Sequence, residues 1–140
     1  MATERPLPKR TNPVTESTFY PVLRDLLVQA GELAMTHFRV TAVEHKEDGS
    51  PVTEADRACE ALLATGLRAA FPTMGVSAEE GTHYDGEEIW YVDPIDGTGP
   101  FTEGLAHWGP TVCLVRDGEV EVGAFYMPRV GEFWFAERGR

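Results

Sequence analysis

The sequence predicts a layered α/β sandwich of the α+β class, in which two N-terminal helices pack on a largely antiparallel sheet. Three observations lead to this fold class. Apolar residues recur at intervals of three and four along two N-terminal segments, which is the period of an amphipathic helix. Short β-prone runs separated by turn residues fill the rest of the chain. The length of 140 residues suits one domain with a single core.

The first helix is predicted over residues 18–38, where the apolar positions follow the helical period. Pro21 falls in its first turn, where a missing N–H group costs nothing. Residues 1–14 hold three prolines among charged and polar residues and show no periodicity. We therefore expect a flexible tail over residues 1–14 and one domain over residues 15–140.

The second helix is predicted to begin after Thr53 and to stop before Pro72. Thr53 and Asp56 stand at the offset of a capping box, in which each side chain bonds the other residue's backbone N–H. Taken alone, Asp56 is well explained as an acid in the first turn that interacts favourably with the positive end of the helix dipole. The strongly polar residues 43–53 before this helix are predicted to form a loop.

The remaining elements are predicted to be strands. A short strand over residues 74–78 precedes a surface loop over residues 81–87, and an apolar run then reaches Asp93. Pro94 donates no backbone hydrogen bond, so we expect that strand to end at Asp93. Gly97 and Thr98 are expected to turn the chain and open a helix. An antiparallel meander closes the chain, with a hairpin turn at residues 116–119, over residues 108–115, 120–127 and 131–136.

Composition excludes several classes of protein. The formal net charge of −11 repels nucleic acid and anionic membranes, so we expect neither as a partner. No apolar run approaches the ~20 residues that span a bilayer, and the N-terminus lacks a signal-peptide pattern, so a cytoplasmic location is expected. Cys59 and Cys113 lie in apolar contexts without metal-type spacing, and both are expected to be small core residues without a disulfide.

Five carboxylates are candidates for a shared site, because a helix start, a strand end and a strand-to-turn junction deliver them. Like charges at close range raise one another's pKa values, and a bound cation resolves that repulsion. Oxygen donors on a tight turn suit a divalent ion of the magnesium class. For the two acids nearest the turn, capping of the turn and the next helix is an equally good explanation. The candidates are Asp56, Glu79, Glu80, Asp93 and Asp96.

Two neighbouring residues extend this site. The Thr98 hydroxyl can pass hydrogen bonds between a water nucleophile and a carboxylate such as Asp56. Gly97 lets backbone donors approach an anion closely. A two-metal site of this kind can polarise a phosphoryl oxygen, lower the pKa of a bound water and stabilise the leaving oxygen.

At these residues the sequence resembles the inositol monophosphatase family, the magnesium-dependent and lithium-sensitive sugar phosphatases. Three motifs in the same order carry the resemblance, which covers residues 18–140. The family patterns are K-x-D-x-S-P-V-T-x-A-D, G-E-E and W-x-x-D-P-I-D-G-T, and they are matched by Lys46 to Asp56, Ala78-Glu79-Glu80 and Trp90 to Thr98.

The resemblance implies hydrolysis of a small phosphate monoester by metal-activated water, with inositol monophosphate, histidinol phosphate or a related sugar phosphate as substrate. It implies two or three Mg²⁺ ions and a homo-oligomer. Glu79, Asp93 and the Ile95 carbonyl would bind the first ion, and Asp93 with Asp96 the second. The resemblance also implies that Asp56 and Thr98 activate the attacking water. Gly97 and Thr98 would bind the phosphate. The implied accessory residues, beside a third ion, are Lys46, Asp48 and Glu80.

The sequence departs from the family in two places. Gly99-Pro100-Phe101 follows the D-G-T motif where the family has Thr or Lys and then Asn-Phe, and Pro100 removes a backbone donor. The W-D-x-A-x-G motif of the family's second half, whose aspartate completes the second metal site, has no counterpart here. We therefore expect an N-terminal portion of the family fold, with an incomplete metal-binding fragment that needs a partner as the alternative function. A haloacid dehalogenase type is rejected, because Pro94 stands where its nucleophilic Asp would be.

Overall fold

A six-stranded mixed sheet with two helices packed on one of its faces forms the core of this computed structural model. The structure describes residues 17–38, 43–45, 47 and 51–140. The predicted tail over residues 1–14 and the accessory residues Lys46 and Asp48 lie outside the described residues. The predicted fold class is confirmed.

The elements follow one another with short connections. Two short strands pair with each other antiparallel, and the remaining six form the main sheet in the order β4-β3-β5-β6-β7-β8. Within that sheet β3 and β5 run parallel, and the other described pairs are antiparallel. The bounds are α1 Phe19–His37, β1 Val43–His45, β2 Pro51–Thr53, α2 Glu54–Ala70, β3 Gly75–Ala78, β4 His83–Tyr84, β5 Ile89–Asp96, α3 Thr98–Glu103, β6 Gly109–Arg116, β7 Glu119–Met127 and β8 Glu132–Glu137.

The core lies between the two long helices and one face of the sheet. Leucines at helical spacing on α1 and α2 are fully buried against alternate residues of β5 and β6. Trp90 on β5 contacts the rings of Phe19, at the start of α1, and Phe71, at the end of α2, and so joins both helices to the sheet. Each such buried side chain contributes roughly 1.5–3 kcal/mol through removal of apolar surface from water. This packing fixes the position of α2 relative to β5.

The opposite face of the sheet carries side chains that stay partly or largely exposed in the described part of the chain. Tyr91, Cys113, Phe125 and Trp134 alternate with the buried or partly buried residues of their strands, and Trp134 is 60% exposed. We call these four residues the open face. The prediction that Cys113 is a core residue is therefore wrong, because its position on β6 points away from the helices. Cys59 is buried as predicted, and its thiol donates to the Ala30 carbonyl at 3.2 Å.

Strand β5 continues through Pro94 to Asp96, so the prediction that the strand ends at Asp93 is wrong. Asp93 pairs with Thr111 and Asp96 with Gly109, so three steps along β5 oppose two along β6. This β-bulge accommodates the residue that cannot donate to the ladder.

Two polar segments that were predicted to be loops contain short strands. β4 lies within residues 81–87 and pairs with β3, and β1 and β2 pair within residues 43–53. The closing meander and its hairpin are confirmed. The turn between β6 and β7 has positive φ at Asp117 and Gly118, as such two-residue turns require.

Candidate active site

The start of α2 fixes Asp56 in place. Asp56 is fully buried, and its Oδ2 accepts hydrogen bonds from the backbone N–H of Thr53 at 2.8 Å and from the Thr53 hydroxyl at 2.7 Å. The Asp56 backbone N–H donates in return to the Thr53 hydroxyl, which completes the predicted capping box. One carboxylate oxygen of Asp56 is thus committed to the helix cap.

The other oxygen of Asp56 faces Thr98 at the end of β5. The Thr98 Oγ lies 3.1 Å from Asp56 Oδ1 and 3.1 Å from the Ile95 carbonyl oxygen. The hydroxyl has a single proton, so it donates to one of these acceptors at a time and keeps lone pairs for another donor. The structure brings together Asp56, Thr98 and Ile95 from segments that are about 40 residues apart in sequence.

Glu79 and Asp93 meet because β3 and β5 run side by side. Ala78 pairs with Val92, and the Glu79 backbone N–H donates to the Val92 carbonyl at 2.9 Å, which places Glu79 beside Asp93. Burial, followed by the hydrogen bond and the charge of Glu79 and then the charge of Asp96, raises the pKa of Asp93 from 3.8 to about 8. The Ile95 backbone N–H acts in the opposite direction. The two carboxylates are therefore crowded against each other, and the charge of Glu79 disfavours ionisation of Asp93.

The bulge in β5 explains why Asp96 acts on Asp93. Side chains three positions apart in a regular strand point to opposite faces of the sheet. The extra residue between Asp93 and Asp96 cancels one alternation, so the two carboxylates are directed to the same region. Asp96 is exposed, whereas Asp93 is half-buried.

Gly97 turns the chain from β5 into α3. Its φ of 87° is in the left-handed region, and a Cβ atom here would lie 2.7 Å from the His107 carbonyl oxygen. The first hydrogen bond of α3 runs from the Phe101 N–H to the Gly97 carbonyl. The backbone N–H groups of Thr98 and Gly99 belong to the first turn, which has no acceptor within the helix, and Pro100 contributes no donor there.

The predicted accessory residue Glu80 occupies the turn between β3 and β4. Its backbone N–H donates to the carboxylate of Glu60 at 2.6 Å, and the Thr82 N–H donates to the other oxygen of that carboxylate at 2.8 Å. Glu60 is not among the site residues predicted from the sequence. A signal was present, since Glu60 stands one turn after Asp56 and next to Cys59 on the apolar face of α2.

The donors fit a hard divalent cation. Asp93 Oδ1 is a buried oxygen without a hydrogen-bond partner among the described residues. No group of three or more His, Cys, Asp or Glu side chains within the described part of the chain is arranged to hold a metal ion. Mg²⁺ requires fewer protein carboxylates than such a cage, because it keeps several water molecules. The Glu79 and Asp93 pair is compatible with that chemistry.

No helix among the described residues is long and apolar enough to cross a bilayer.

Comparison with known proteins identifies the family. The sequence model described as Inositol monophosphatase family matches residues 15–140. The histidinol-phosphatase of Chlorobaculum parvum is 40% identical over 119 residues, which are 82% of this chain and 46% of that protein. The fructose-1,6-bisphosphatase/inositol-1-monophosphatase of Thermotoga maritima is 38% identical over 81% of this chain and 45% of its own length.

A solved structure supports the same relationship. The extragenic suppressor protein suhB from Bartonella henselae superposes with a TM-score of 0.81 at 28% identity, over 88% of this chain and 50% of that one. The chain spans about half the length of the curated relatives it matches. Taken together, the two-helix and six-stranded fold, the ordered motifs and the match over residues 15–140 show that this chain belongs to the inositol monophosphatase family.

Proposed function

We propose that this chain supplies the metal-binding part of a magnesium-dependent phosphatase that hydrolyses a small phosphate monoester. One observation carries the proposal. Glu79, which follows β3, is crowded against Asp93 near the end of β5, and β5 leads directly into Thr98, whose hydroxyl contacts Asp56. Cation-binding oxygens and a hydroxyl–carboxylate pair are thus adjacent, as metal-assisted attack of water requires.

The proposed ligands of the first Mg²⁺ are Glu79, Asp93 and the Ile95 carbonyl, and Asp93 and Asp96 contribute to a second. When bound, the ions supply Lewis-acid polarisation of a phosphoryl oxygen and lower the pKa of a bound water. Asp93 is proposed for both sets because the charges of Glu79 and of Asp96 both raise its pKa, so both carboxylates are near it. Its buried Oδ1, which has no hydrogen-bond partner in the part of the chain that the structure describes, is the oxygen proposed to contact a cation.

Thr98 and Asp56 are proposed to orient the attacking water. Asp56 Oδ2 is held by Thr53, so its Oδ1 has a fixed position 3.1 Å from the Thr98 hydroxyl. A hydroxyl that donates to Asp56 presents its lone pairs to a water on the other side, and it can receive that water's proton while its own proton passes to Asp56 Oδ1. The pair orients and activates the water without itself bonding to phosphorus.

The phosphate is proposed to bind the backbone N–H groups of Gly97 and Thr98. Gly97 is required there because only glycine adopts its φ without strain. Pro100 has no backbone N–H group, so this phosphate site lacks a donor at a position where the family pattern has one. Inositol monophosphate, histidinol phosphate and related sugar phosphates are the proposed substrate class, with Lys46, Asp48 and Glu80 as accessory residues.

Phosphate release from these substrates, with and without Mg²⁺, tests the proposal. We expect turnover that EDTA abolishes and that Asp93→Asn lowers by roughly 100-fold or more, the scale of a lost transition-state contact. Asp85→Asn is the matched control, because Asp85 is a fully exposed acid in contact with His83. Turnover unaffected by EDTA or by Asp93→Asn would overturn the metal mechanism.

A second candidate is a metal-binding fragment that needs a further polypeptide for catalysis. The open face favours it, since Tyr91 and Cys113 line the same depression as Glu79 and Asp93, and Trp134 continues that face. A polypeptide layer packed on the open face would also shield Glu79 and Asp93 from solvent. Adding the separately produced second half of a family relative tests this candidate. Turnover that appears only in the mixture supports it, and full turnover by the chain alone excludes it.

A further inference from the structure

Glu60 is a buried carboxylate outside the residues that the proposed function uses. It lies on α2, is 3% exposed and is surrounded by core residues of that helix. An isolated charged group at such a depth is strongly destabilising unless hydrogen bonds compensate it. The Glu60 carboxylate therefore requires compensating hydrogen bonds at this position.

Two backbone N–H groups provide the compensation. Oε2 accepts from Glu80 at 2.6 Å and Oε1 accepts from Thr82 at 2.8 Å, so each oxygen has its own donor. Hydrogen bonds to an ionised acceptor are about twice as strong as neutral ones. Both donors belong to the turn that follows Glu79. The carboxylate thus holds this turn from the side of α2.

The same turn is anchored from the side of the sheet. The Glu79 N–H donates to Val92, and the Ala78 N–H and the Thr82 carbonyl close the turn with a 2.9 Å hydrogen bond. Glu79 is exposed, so core packing does not position its side chain. Backbone hydrogen bonds at Glu79 and at the residues that follow it fix the point from which this side chain extends.

Asp56 and Glu60 are four residues apart and share the buried face of α2. Asp56 contacts Thr98, which follows β5, and Glu60 contacts the turn that follows β3. Helix α2 therefore contacts both segments that carry the candidate site, in each case through a carboxylate. We propose that Glu60 is a positioning residue, which fixes the Glu79 turn so that Glu79 and Asp93 present their oxygens together to a divalent cation. This role rests on the proposed function, because it requires that Glu79 binds the cation.

Titration with Mn²⁺, followed by electron paramagnetic resonance, measures cation affinity without relying on turnover. We expect Glu60→Gln to weaken Mn²⁺ binding by about 10- to 100-fold, the range seen when a group that orients a metal ligand is lost. The amide of the variant offers one oxygen to two N–H donors and opposes the other with its own N–H groups. Glu54→Gln removes the same charge from an exposed position on α2 and should bind as wild type does.

A second pair of variants leaves the charge unchanged. Thr82→Pro removes the N–H that donates to Glu60 but keeps the carbonyl that accepts from Ala78, whereas Thr82→Ala keeps both. We expect weaker Mn²⁺ binding in the proline variant and wild-type binding in the alanine variant. This pair decides the question if Glu60→Gln does not fold.

Amide hydrogen exchange separates positioning from general destabilisation. In Glu60→Gln, the Glu80 and Thr82 amides should exchange faster while the amides of β6 and β7 remain as protected as in wild type. Unchanged Mn²⁺ affinity in Glu60→Gln and Thr82→Pro would overturn the positioning role. A wild-type chain that binds no Mn²⁺ would overturn the proposed function and this role with it.

Discussion

Asp93 is the residue at which the fold most directly opposes the proposed chemistry, because its surroundings disfavour the ionised carboxylate that a cation would bind. It is half-buried, contacts Glu79 and has one oxygen without a partner among the described residues. In the absence of a cation, a proton is the simplest means of reducing the repulsion between the two carboxylates. The raised pKa of Asp93 therefore has a measurable consequence for stability.

We expect the metal-free protein to lose stability as the pH rises from about 4 to about 8. The pKa of Asp93 is 3.8 in its ordinary state and about 8 in the folded chain. Between these values the folded state binds a proton that the unfolded state has released, so the free energy of unfolding falls with rising pH. Thermal unfolding in EDTA at pH 5 and pH 8 measures the effect.

Asp93→Asn is the control, and its unfolding temperature should depend less on pH across the same interval. Mg²⁺ competes with the proton for the same oxygens, so saturating Mg²⁺ should stabilise the wild-type protein more at pH 8 than at pH 5. Equal pH dependence of the two proteins in EDTA would contradict the assignment of the raised pKa to Asp93.

Residue identities were predictable where a motif fixed the spacing. The capping box identified Asp56 because side chain and backbone interact within four residues. Glu60 was missed because its donors are 20 and 22 residues further along the chain, at a distance that periodicity does not reveal. The pairing of Glu79 with Asp93 likewise depends on the parallel register of β3 and β5.

At the scale of elements, the junction of β5 and α3 depends on one backbone conformation. Gly97→Ala should destabilise the fold by roughly 1–3 kcal/mol, because alanine adopts a φ of 87° only with strain and its Cβ would clash with the His107 carbonyl. Urea unfolding measures this change.

Gly99→Ala is the matched control within α3. Apart from its two chain neighbours, no atom lies within 4 Å of a Cβ atom placed at Gly99, and its φ is not in the left-handed region. Alanine is a better helix former by up to about 1 kcal/mol, whereas its Cβ crowds the ring of the following Pro100. These two effects oppose each other, so this variant should lose much less stability than Gly97→Ala. A loss in Gly99→Ala as large as that in Gly97→Ala would show that the strain is not specific to the turn.

The first turn of α2 offers a second test at this scale. Thr53→Ala removes the hydroxyl that contacts both the Asp56 carboxylate and the Asp56 N–H, and should cost about 1 kcal/mol of unfolding free energy. Thr53→Ser keeps the hydroxyl and should retain most of that stability. Chemical denaturation of both variants measures the difference, and equal losses would contradict a role for the cap.

The elements themselves were largely predictable because their hydrophobic periods are regular. Both long helices and the closing meander agree with the sequence pattern to within a few residues. The end of β5 was not predictable from Pro94, because a bulge lets the strand continue past a residue that donates no hydrogen bond. β4 was missed because two exposed residues carry no periodicity.

At the scale of the whole molecule, the reactivities of the two thiols distinguish the two faces of the sheet. Cys59 is buried in the helical layer on one face, and Cys113 lies on the open face. Burial, reinforced by the charge of Asp56, raises the pKa of Cys59 to about 12, and burial raises the pKa of Cys113 to a smaller degree. We expect a thiol reagent at pH 8 to modify Cys113 in the native protein and to reach Cys59 after unfolding. Mass spectrometry of labelled peptides identifies the site.

Cys113→Ser should remove the native reaction, and Cys59→Ser should leave it unchanged. A second polypeptide that packs on the open face should protect Cys113 from the reagent. Native modification of Cys59 at a comparable rate would contradict the packing of α1 against α2.

Several expectations at this scale stay predictions. The absence of nucleic acid and membrane partners rests on a net charge of −11, and the homo-oligomer and the cytoplasmic location rest on resemblance and on composition. The substrate is likewise a proposal, since the chain spans about half the length of the relatives it matches.

The bulge at Pro94 lets two acids that are three positions apart in sequence share one face of the sheet. Deleting one codon between Asp93 and Asp96 would restore a regular ladder, because Thr111 and Gly109 already stand two positions apart on β6. The two acids would then be two positions apart and would still lie on the same face. Loss of the bulge without a deletion would instead shift the pairing of every later residue of β5 by one, and Asp96 would lie on the opposite face from Asp93. The face on which Asp96 lies therefore depends on the number of residues between the acids together with the register of β5 on β6, which substitution of either acid does not change.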